Sequence, residues 1–147
     1  MIELKSNRNI DLILVHCSDS YDRMDIGVEE ITKWHTERGF NTIGYHFVIR
    51  KDGKIETGRN INIAGAHCRG YNRNSVGICY VGGRSDDDKP IDDRTDAQKK
   101  SLAALIINLQ AEHPGVKIKG HNELSVSKSC PNFDVQEDLN SLGDYLF

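Results

Sequence analysis

The chain has 147 residues, of which 19 are Lys or Arg and 22 are Asp or Glu, so its formal net charge is −3. A chain of this length suits one domain, and we expect residues 1–147 to form a single domain without an accessory module. The slight negative charge argues against broad electrostatic binding to nucleic acid, which requires a strongly basic face, and leaves room only for local basic clusters.

The N-terminus and the cysteines predict where the protein is made. Residues 1–8 are polar and charged, and the apolar run Ile13-Leu14-Val15 is too short for a signal peptide or a membrane span. We therefore expect synthesis in a cytoplasm and no membrane partner. The cysteines lack the compact spacing of a secreted scaffold, so we expect reduced thiols at Cys17, Cys68, Cys79 and Cys130.

An apolar run and an amphipathic segment predict the first strand and the first helix. Residues 11–17 are mostly apolar, which is typical of a buried strand covered on both faces. From Val28 the spacing becomes helical, with Ile31 and His35 on the same face, and Gly39 stands where such a helix would end.

The clearest hairpin lies between Gly44 and Thr57, where an Asp-Gly turn separates two runs of strand-forming residues. Alternation along the first run predicts two faces. We expect one face to carry Tyr45, Phe47 and Ile49 and the other to carry His46 and Val48. A strand over residues 75–81 follows a polar, glycine-rich loop at 64–74, and loops of this length are usually functional.

The second half of the chain predicts two helices and a short strand. Thr95 and Gln98 are spaced as a capping box. The helix that they open is expected to bury Leu102, Leu105, Ile106 and Leu109. Residues 116–119 predict a strand that leads to His121, and a last helix after an Asp134 cap is expected to bury Leu139, Leu142 and Leu146. These elements predict an α/β fold, a single domain with a mixed central β-sheet flanked by helices.

Two histidines and one cysteine are candidates for a metal site. His16 closes the first apolar run, His121 follows the last predicted strand, and Cys130 comes shortly after. Taken singly, such a histidine is usually an ordinary residue, but two imidazoles and a thiolate brought together would suit zinc and leave a fourth position for water. That arrangement is typical of a hydrolytic site. Cys17 adjoins His16 but should point to the opposite face, so we expect an inert, buried thiol there, as at Cys79.

Six short motifs occur in an order and spacing that resembles one protein family. They are Val15-His16-Cys17-Ser18, Gly44-Tyr45-His46-Phe47, Ala66-His67 with Gly70-Tyr71-Asn72, Ser75-Val76-Gly77-Ile78, Gly120-His121-Asn122-Glu123 and Lys128-Ser129-Cys130-Pro131. Together they resemble zinc-dependent N-acetylmuramoyl-L-alanine amidases, which include amidase-type phage lysozymes and peptidoglycan recognition proteins. The resemblance extends from His16 to Phe133, and the combination is specific although each motif alone is weak.

The resemblance implies roles for five residues. His16, His121 and Cys130 would bind zinc, while Tyr45 and Lys128 would assist catalysis. The chemistry agrees, because zinc-bound water can reach a pKa of about 7 and a cationic lysine can stabilise the oxyanion formed in amide hydrolysis. A free tyrosine, with a pKa of about 10, is a poor general base, so orienting the water and relaying a proton both stay open for Tyr45.

The loop at 64–74 is predicted to contact the substrate. A sugar-lactyl-peptide ligand offers hydroxyls, amides and carboxylates, which amide and cationic side chains recognise. The candidate substrate-binding residues are His67, Asn72, Arg73 and Asn74. Cys68 in the same loop is either close to the groove or simply a free, partly buried thiol.

The implied function is hydrolysis of the amide between N-acetylmuramic acid and L-alanine in peptidoglycan, by a monomeric phage or prophage endolysin that acts on the wall after release. Two alternatives stay open. A non-catalytic peptidoglycan-binding module is one, although such relatives typically lack the cysteine ligand present here as Cys130. An amidase that also binds and inhibits an RNA polymerase is the other.

A glycosidase is not expected. Such an enzyme needs two carboxylates that flank a sugar bond, and the motif segments offer no suitable pair. Glu123 lies close in sequence to His121, where a hydrogen bond that supports the metal site is the more natural role.

Overall fold

The computed structural model describes residues 2–141, which form a β-sheet with helices on both faces. Its strands are Leu12–Cys17 (β1), Ser20–Tyr21 (β2), Phe47–Ile49 (β3), Ile55–Thr57 (β4), Ser75–Tyr80 (β5), Gly83–Arg84 (β6) and Lys117–Gly120 (β7). Its helices are Val28–Glu37 (α1), Asp96–Glu112 (α2), His121–Leu124 (α3) and Val135–Leu139 (α4), with a 3-10 turn at Asn72–Asn74.

The main sheet is mixed, as the sequence predicts. Its strand order is β4-β3-β5-β1-β7, and β2 pairs with β6 in a separate small sheet. Strands β3, β5, β1 and β7 run parallel to one another, whereas β4 is antiparallel to β3 in the hairpin. Every residue of β1 is buried, because this strand has a neighbour on each side and packed layers above and below.

Alternation along β1 decides which side chains reach the functional face. Ile13 and Val15 belong to the large core that includes the apolar face of α2. Leu12 and Leu14 point the other way and pack in a smaller cluster. His16 follows the same alternation, so it lies on the face opposite α2, at the C-terminal end of the strand.

Helix α2 is anchored by its predicted capping box. The Thr95 hydroxyl accepts a hydrogen bond from the Gln98 backbone N–H at 3.0 Å, and the Gln98 side-chain oxygen accepts one from the Thr95 N–H at 2.9 Å. The buried Gln98 amide also donates to the carbonyl oxygens of Ile49 and Val81. The residues that close the N-terminus of the helix therefore also hold it on the sheet.

The predicted alternation of the hairpin is wrong at Tyr45. Phe47 and Ile49 lie in the core with α2, but Tyr45 packs with Val48 against the cluster on the α1 side. The physical reason is that β3 begins only at Phe47, so Tyr45 precedes the strand and does not follow its two-residue repeat. This irregular segment places the Tyr45 ring on the same face as His16.

The remaining predicted elements agree with the structure where it is described. Gly39 follows α1 with φ of +95°, a conformation that favours glycine. The Asp134 side chain caps α4, and Leu139 packs against the core. Two residues of the predicted last helix, Leu142 and Leu146, lie outside the described residues. Within residues 2–141, no helix has the length and apolar character to cross a membrane.

Candidate metal centre and active-site groove

His16, His121 and Cys130 converge in the folded chain. One ligand atom from each lies within 4.8 Å of the others, and the His16 Nδ1 to Cys130 Sγ distance is 3.9 Å. The register of the sheet explains the histidine pair, because Val15 of β1 is paired with Gly120 of β7 and each histidine comes next in its chain. The two rings end 4.7 Å apart, centroid to centroid.

Burial prepares both imidazoles to act as ligands. It lowers the pKa of His16 well below its ordinary value, and the neighbouring His67 and His121 lower it further. Burial, and secondly the charge of Lys128, also lowers the pKa of His121. Both rings are therefore neutral near pH 7, and a neutral imidazole has a free lone pair for a metal.

The loop that carries Cys130 is fixed by hydrogen bonds from three directions. The Cys130 carbonyl oxygen accepts from the Asn122 N–H at 2.8 Å, and the Tyr80 hydroxyl donates to the Pro131 carbonyl oxygen at 2.7 Å. The Asn132 side-chain amide donates to the Gly83 carbonyl oxygen at 2.8 Å. A loop would otherwise position a ligand poorly, so these bonds define where the sulfur lies.

Cys17 is buried as predicted, but it is not isolated from the site. Its backbone N–H donates to Cys130 Sγ at 3.1 Å, and the same sulfur lies 3.9 Å from the Cys17 carbonyl oxygen. The neighbouring Cys17 thiol, followed by burial, raises the pKa of Cys130 above its ordinary value. The cluster of possible metal ligands nevertheless contains only Cys130 of the two thiols.

Tyr45 and Lys128 both border the cluster. The Tyr45 ring lies 5.2 Å from the His16 ring, and burial raises the pKa of its hydroxyl well above the ordinary value. In this environment the phenol keeps its proton and can donate a hydrogen bond. Lys128 is exposed on the groove wall and makes no ion pair with any residue from 2 to 141, so its ammonium is available to a ligand.

The predicted substrate-binding residues fall into two groups. His67 and Asn72 line the groove, where the Asn72 side-chain oxygen accepts hydrogen bonds from the N–H groups of His67 and Cys68, both at 2.9 Å. Arg73 is exposed, and the Asn74 amide donates to Asp11 at 2.6 Å. Neither Arg73 nor Asn74 is in the groove lining, so the structure does not bring all four residues together.

His67 is engaged on both ring nitrogens. Its Nδ1 lies 2.9 Å from His16 Nε2, and its Nε2 lies 3.2 Å from the Ser75 hydroxyl. Burial, with lesser effects from nearby histidines and arginines, lowers the pKa of His67 to about 3. The ring is therefore neutral and can accept a hydrogen bond from one neighbour while it donates to the other.

The cluster opens into a groove of about 870 Å³. Trp34, Arg38 and Phe40 line it where α1 ends, although Trp34 also packs against the core as the sequence predicts. Arg84 and Pro90 also belong to its lining. Nothing in the local sequence around Arg38, Phe40 or Arg84 distinguishes them from ordinary surface residues, so their place in the groove could not be predicted.

The carboxylates in the groove lining already have partners. Asp19 accepts from Arg84 at 2.6 Å, and Asp88 accepts from the Tyr21 hydroxyl and pairs with Arg84. Glu123 lies outside the groove lining and accepts from the Gly120 N–H at 2.7 Å, so it caps α3 and supports the backbone next to His121 rather than the imidazole itself. In the described residues, this arrangement does not resemble the pair of catalytic carboxylates of a glycosidase.

Comparisons with known proteins agree with this geometry. The family profile of N-acetylmuramoyl-L-alanine amidases matches residues 6–133. The endolysin of Escherichia phage T7 is 41% identical over 135 residues, which cover 92% of this chain and 89% of that protein. Peptidoglycan-recognition protein LB of Drosophila melanogaster is 36% identical over 105 residues, 71% of this chain and 44% of that protein.

Solved structures show the same architecture. An endolysin N-acetylmuramoyl-L-alanine amidase from Clostridium intestinale superposes with a TM-score of 0.79 at 32% identity, covering 93% of this chain and 86% of that one. Wild-type PGRP-LB from Drosophila gives a TM-score of 0.70 at 27% identity, covering 86% and 77%. Because the family match, the sequence relatives and the shared fold all agree, this chain belongs to the N-acetylmuramoyl-L-alanine amidase family.

Proposed function

We propose that this protein hydrolyses the amide between N-acetylmuramic acid and L-alanine in peptidoglycan, with zinc held by His16, His121 and Cys130. The observation that carries the proposal is the convergence of two imidazoles and one thiol in the lining of an open groove. Nitrogen and sulfur ligands suit zinc, whereas magnesium and calcium prefer oxygen. Among the described residues, no carboxylate joins this cluster, which supports the choice of metal.

When bound, zinc would polarise the amide carbonyl and lower the pKa of a water molecule in its open position. The protein's part is to hold the ligands and the substrate. The neutral rings of His16 and His121 offer their lone pairs. The raised pKa of Cys130 favours its thiol form without metal, so zinc would have to displace that proton, and the thiolate formed would accept the hydrogen bond from the Cys17 N–H. The groove volume of about 870 Å³ is sufficient for a ligand with both sugar and peptide parts.

Two further side chains are suited to the charge that develops during amide hydrolysis. The exposed Lys128 ammonium can approach the oxyanion of the tetrahedral intermediate as a charge-assisted donor. The Tyr45 hydroxyl keeps its proton because burial disfavours the phenolate, so it would orient a reacting group as a donor. In this assignment Lys128 would supply positive charge, and Tyr45 would supply an uncharged hydrogen-bond donor.

The relatives named endolysin support a role in phage release, with the protein acting on the cell wall once it gains access. A non-catalytic binding module is less well supported, because the complete set of two histidines and a cysteine is present. Inhibition of an RNA polymerase stays a prediction, which a pull-down with purified polymerase would test.

Digestion of purified peptidoglycan tests the proposed reaction. The zinc-loaded protein should release stem peptides with new L-alanine amino termini and leave the glycan strands intact. A chelator should stop the release, and added zinc should restore it. New reducing sugar ends, formed at the same rate with and without chelator, would contradict the proposal.

A further inference from the structure

The two nitrogens of the His16 ring have different neighbours. Nδ1 lies 3.9 Å from Cys130 Sγ, while Nε2 lies 2.9 Å from His67 Nδ1. Nδ1 is therefore the nitrogen that is directed to the proposed metal cluster. A nitrogen that binds a metal must offer its lone pair, so the single proton of the neutral His16 ring must lie on Nε2, where it is donated to His67.

The His67 ring is held in a cradle made by two glycines. A Cβ at Gly65 would lie 2.5 Å from His67 Cδ2, and a Cβ at Gly77 would lie 2.6 Å from the same atom. Gly77 is in the buried strand β5, where glycine contributes no packing of its own, so its lack of a side chain makes room for the ring. The buried Ser75 hydroxyl bonds the far nitrogen, and Asn72 accepts from the His67 N–H.

We propose that His67 is a positioning residue of the metal centre, which holds His16 in the orientation and tautomer that bind zinc through Nδ1. This inference rests on the proposed zinc site. With His67 Nδ1 accepting from His16 and Nε2 donating to Ser75, neither ring nitrogen is free for a hydrogen bond to substrate. When a histidine binds a metal through one ring nitrogen, removing the group that hydrogen-bonds to its other nitrogen typically weakens metal binding by about 10–100-fold.

The test compares His67→Asn with His67→Gln. The Asn amide oxygen occupies roughly the place of Nδ1 and can still accept from His16, whereas the Gln amide reaches the place of Nε2 and leaves His16 without an acceptor. Zinc affinity is measured without substrate, by competition with a chromophoric chelator, and the ligand-field spectrum of the cobalt-loaded proteins is recorded beside it. His67→Gln should bind zinc about tenfold or more weakly than the parent, and His67→Asn should recover most of that loss.

A matched control is His113→Asn, since His113 lies at the end of α2 and bonds the Leu4 carbonyl oxygen instead of a residue of the cluster. It should leave zinc affinity and the cobalt spectrum unchanged. Equal zinc affinities for the parent, His67→Asn and His67→Gln would overturn the role of His67 while the proposed function stands. A parent protein that binds no zinc would overturn both.

Discussion

Cys17 and Cys130 are neighbouring thiols, yet only one belongs to the cluster of possible ligands. Cys17 lies on the strand face that belongs to the α2 core, and the sulfur of Cys130 approaches His16 from the loop. Both residues carry the same thiol, so Cys130 is assigned as the ligand because its sulfur, and not that of Cys17, lies beside His16. Replacing Cys17 and Cys130 in turn therefore tests which of the two thiols binds the metal.

We predict that Cys130→Ala loses its bound zinc, because two imidazoles alone leave an incomplete site. Cys17→Ala should keep one zinc per chain. Metal analysis after gel filtration measures both. Full zinc in Cys130→Ala together with loss in Cys17→Ala would show that the wrong thiol has been assigned.

The role proposed for Lys128 can be tested by removing its charge. Lys128→Ala should retain zinc and thermal stability, because the side chain is exposed, but its turnover should fall about a hundredfold or more if it stabilises the oxyanion. Lys128→Arg keeps the positive charge and should recover part of the rate. Steady-state kinetics on a soluble muropeptide decide the question, and turnover of Lys128→Ala close to that of the parent would exclude the role.

At the scale of elements, Arg94 links the segment before α2 to α4 and to the loop after Cys130. Its buried guanidinium donates to Asp92 at 2.9 Å and to Asp138 at 3.2 Å, and it stacks on the Phe133 ring at 3.4 Å. Phe133 is three positions beyond Cys130 in the chain. The ion pair therefore fixes the C-terminal side of the loop that carries the cysteine ligand.

We predict that Arg94→Leu lowers the free energy of unfolding by about 3 kcal/mol, because it leaves the half-buried carboxylate of Asp138 without its partner. Arg23→Leu is the control, since the Arg23 side chain is 63% exposed and its pair with Asp86 should contribute less than about 1 kcal/mol. Urea unfolding measures both differences. Similar losses in the two variants would contradict a structural role for the Arg94 pair.

For the whole molecule, the order of elements and the mixed sheet follow from local patterns. The capping box at Thr95, the apolar face of α2 and the Asp-Gly turn each depend on neighbours in sequence, which is why these predictions are confirmed. The pairing of β1 with β5 and β7 depends instead on contacts between distant segments. No local pattern specifies that order.

The candidate site, too, could be predicted only in part from the sequence. The types of His16, His121 and Cys130 suggest a metal, and the family resemblance singles out Tyr45 and Lys128. The bond between the rings of His16 and His67 could not be predicted, because it depends on the cradle formed by distant glycines. Arg73 and Asn74 follow Asn72 directly in the chain, yet only Asn72 lines the groove, and adjacency in sequence could not show this difference.

Zinc should also stabilise the folded chain as a whole, because a ligand that binds only the native state shifts the folding equilibrium. With free zinc at 100 times its Kd, the gain is about 2.7 kcal/mol, which corresponds to a rise in Tm of roughly 5–10 °C for a protein of this size. Differential scanning fluorimetry of the parent and of His121→Ala measures the effect. An equal rise in the two proteins would mean that zinc binds elsewhere.

Anomalous diffraction from zinc-loaded crystals would locate the metal itself. We expect one strong peak at the zinc absorption edge, within bonding distance of His16 Nδ1, a ring nitrogen of His121 and Cys130 Sγ, with the fourth position open to the groove. A crystal of fully active protein with no peak there, or with its peak at other residues, would contradict the assignment of these three ligands and the hydrolytic mechanism that depends on them.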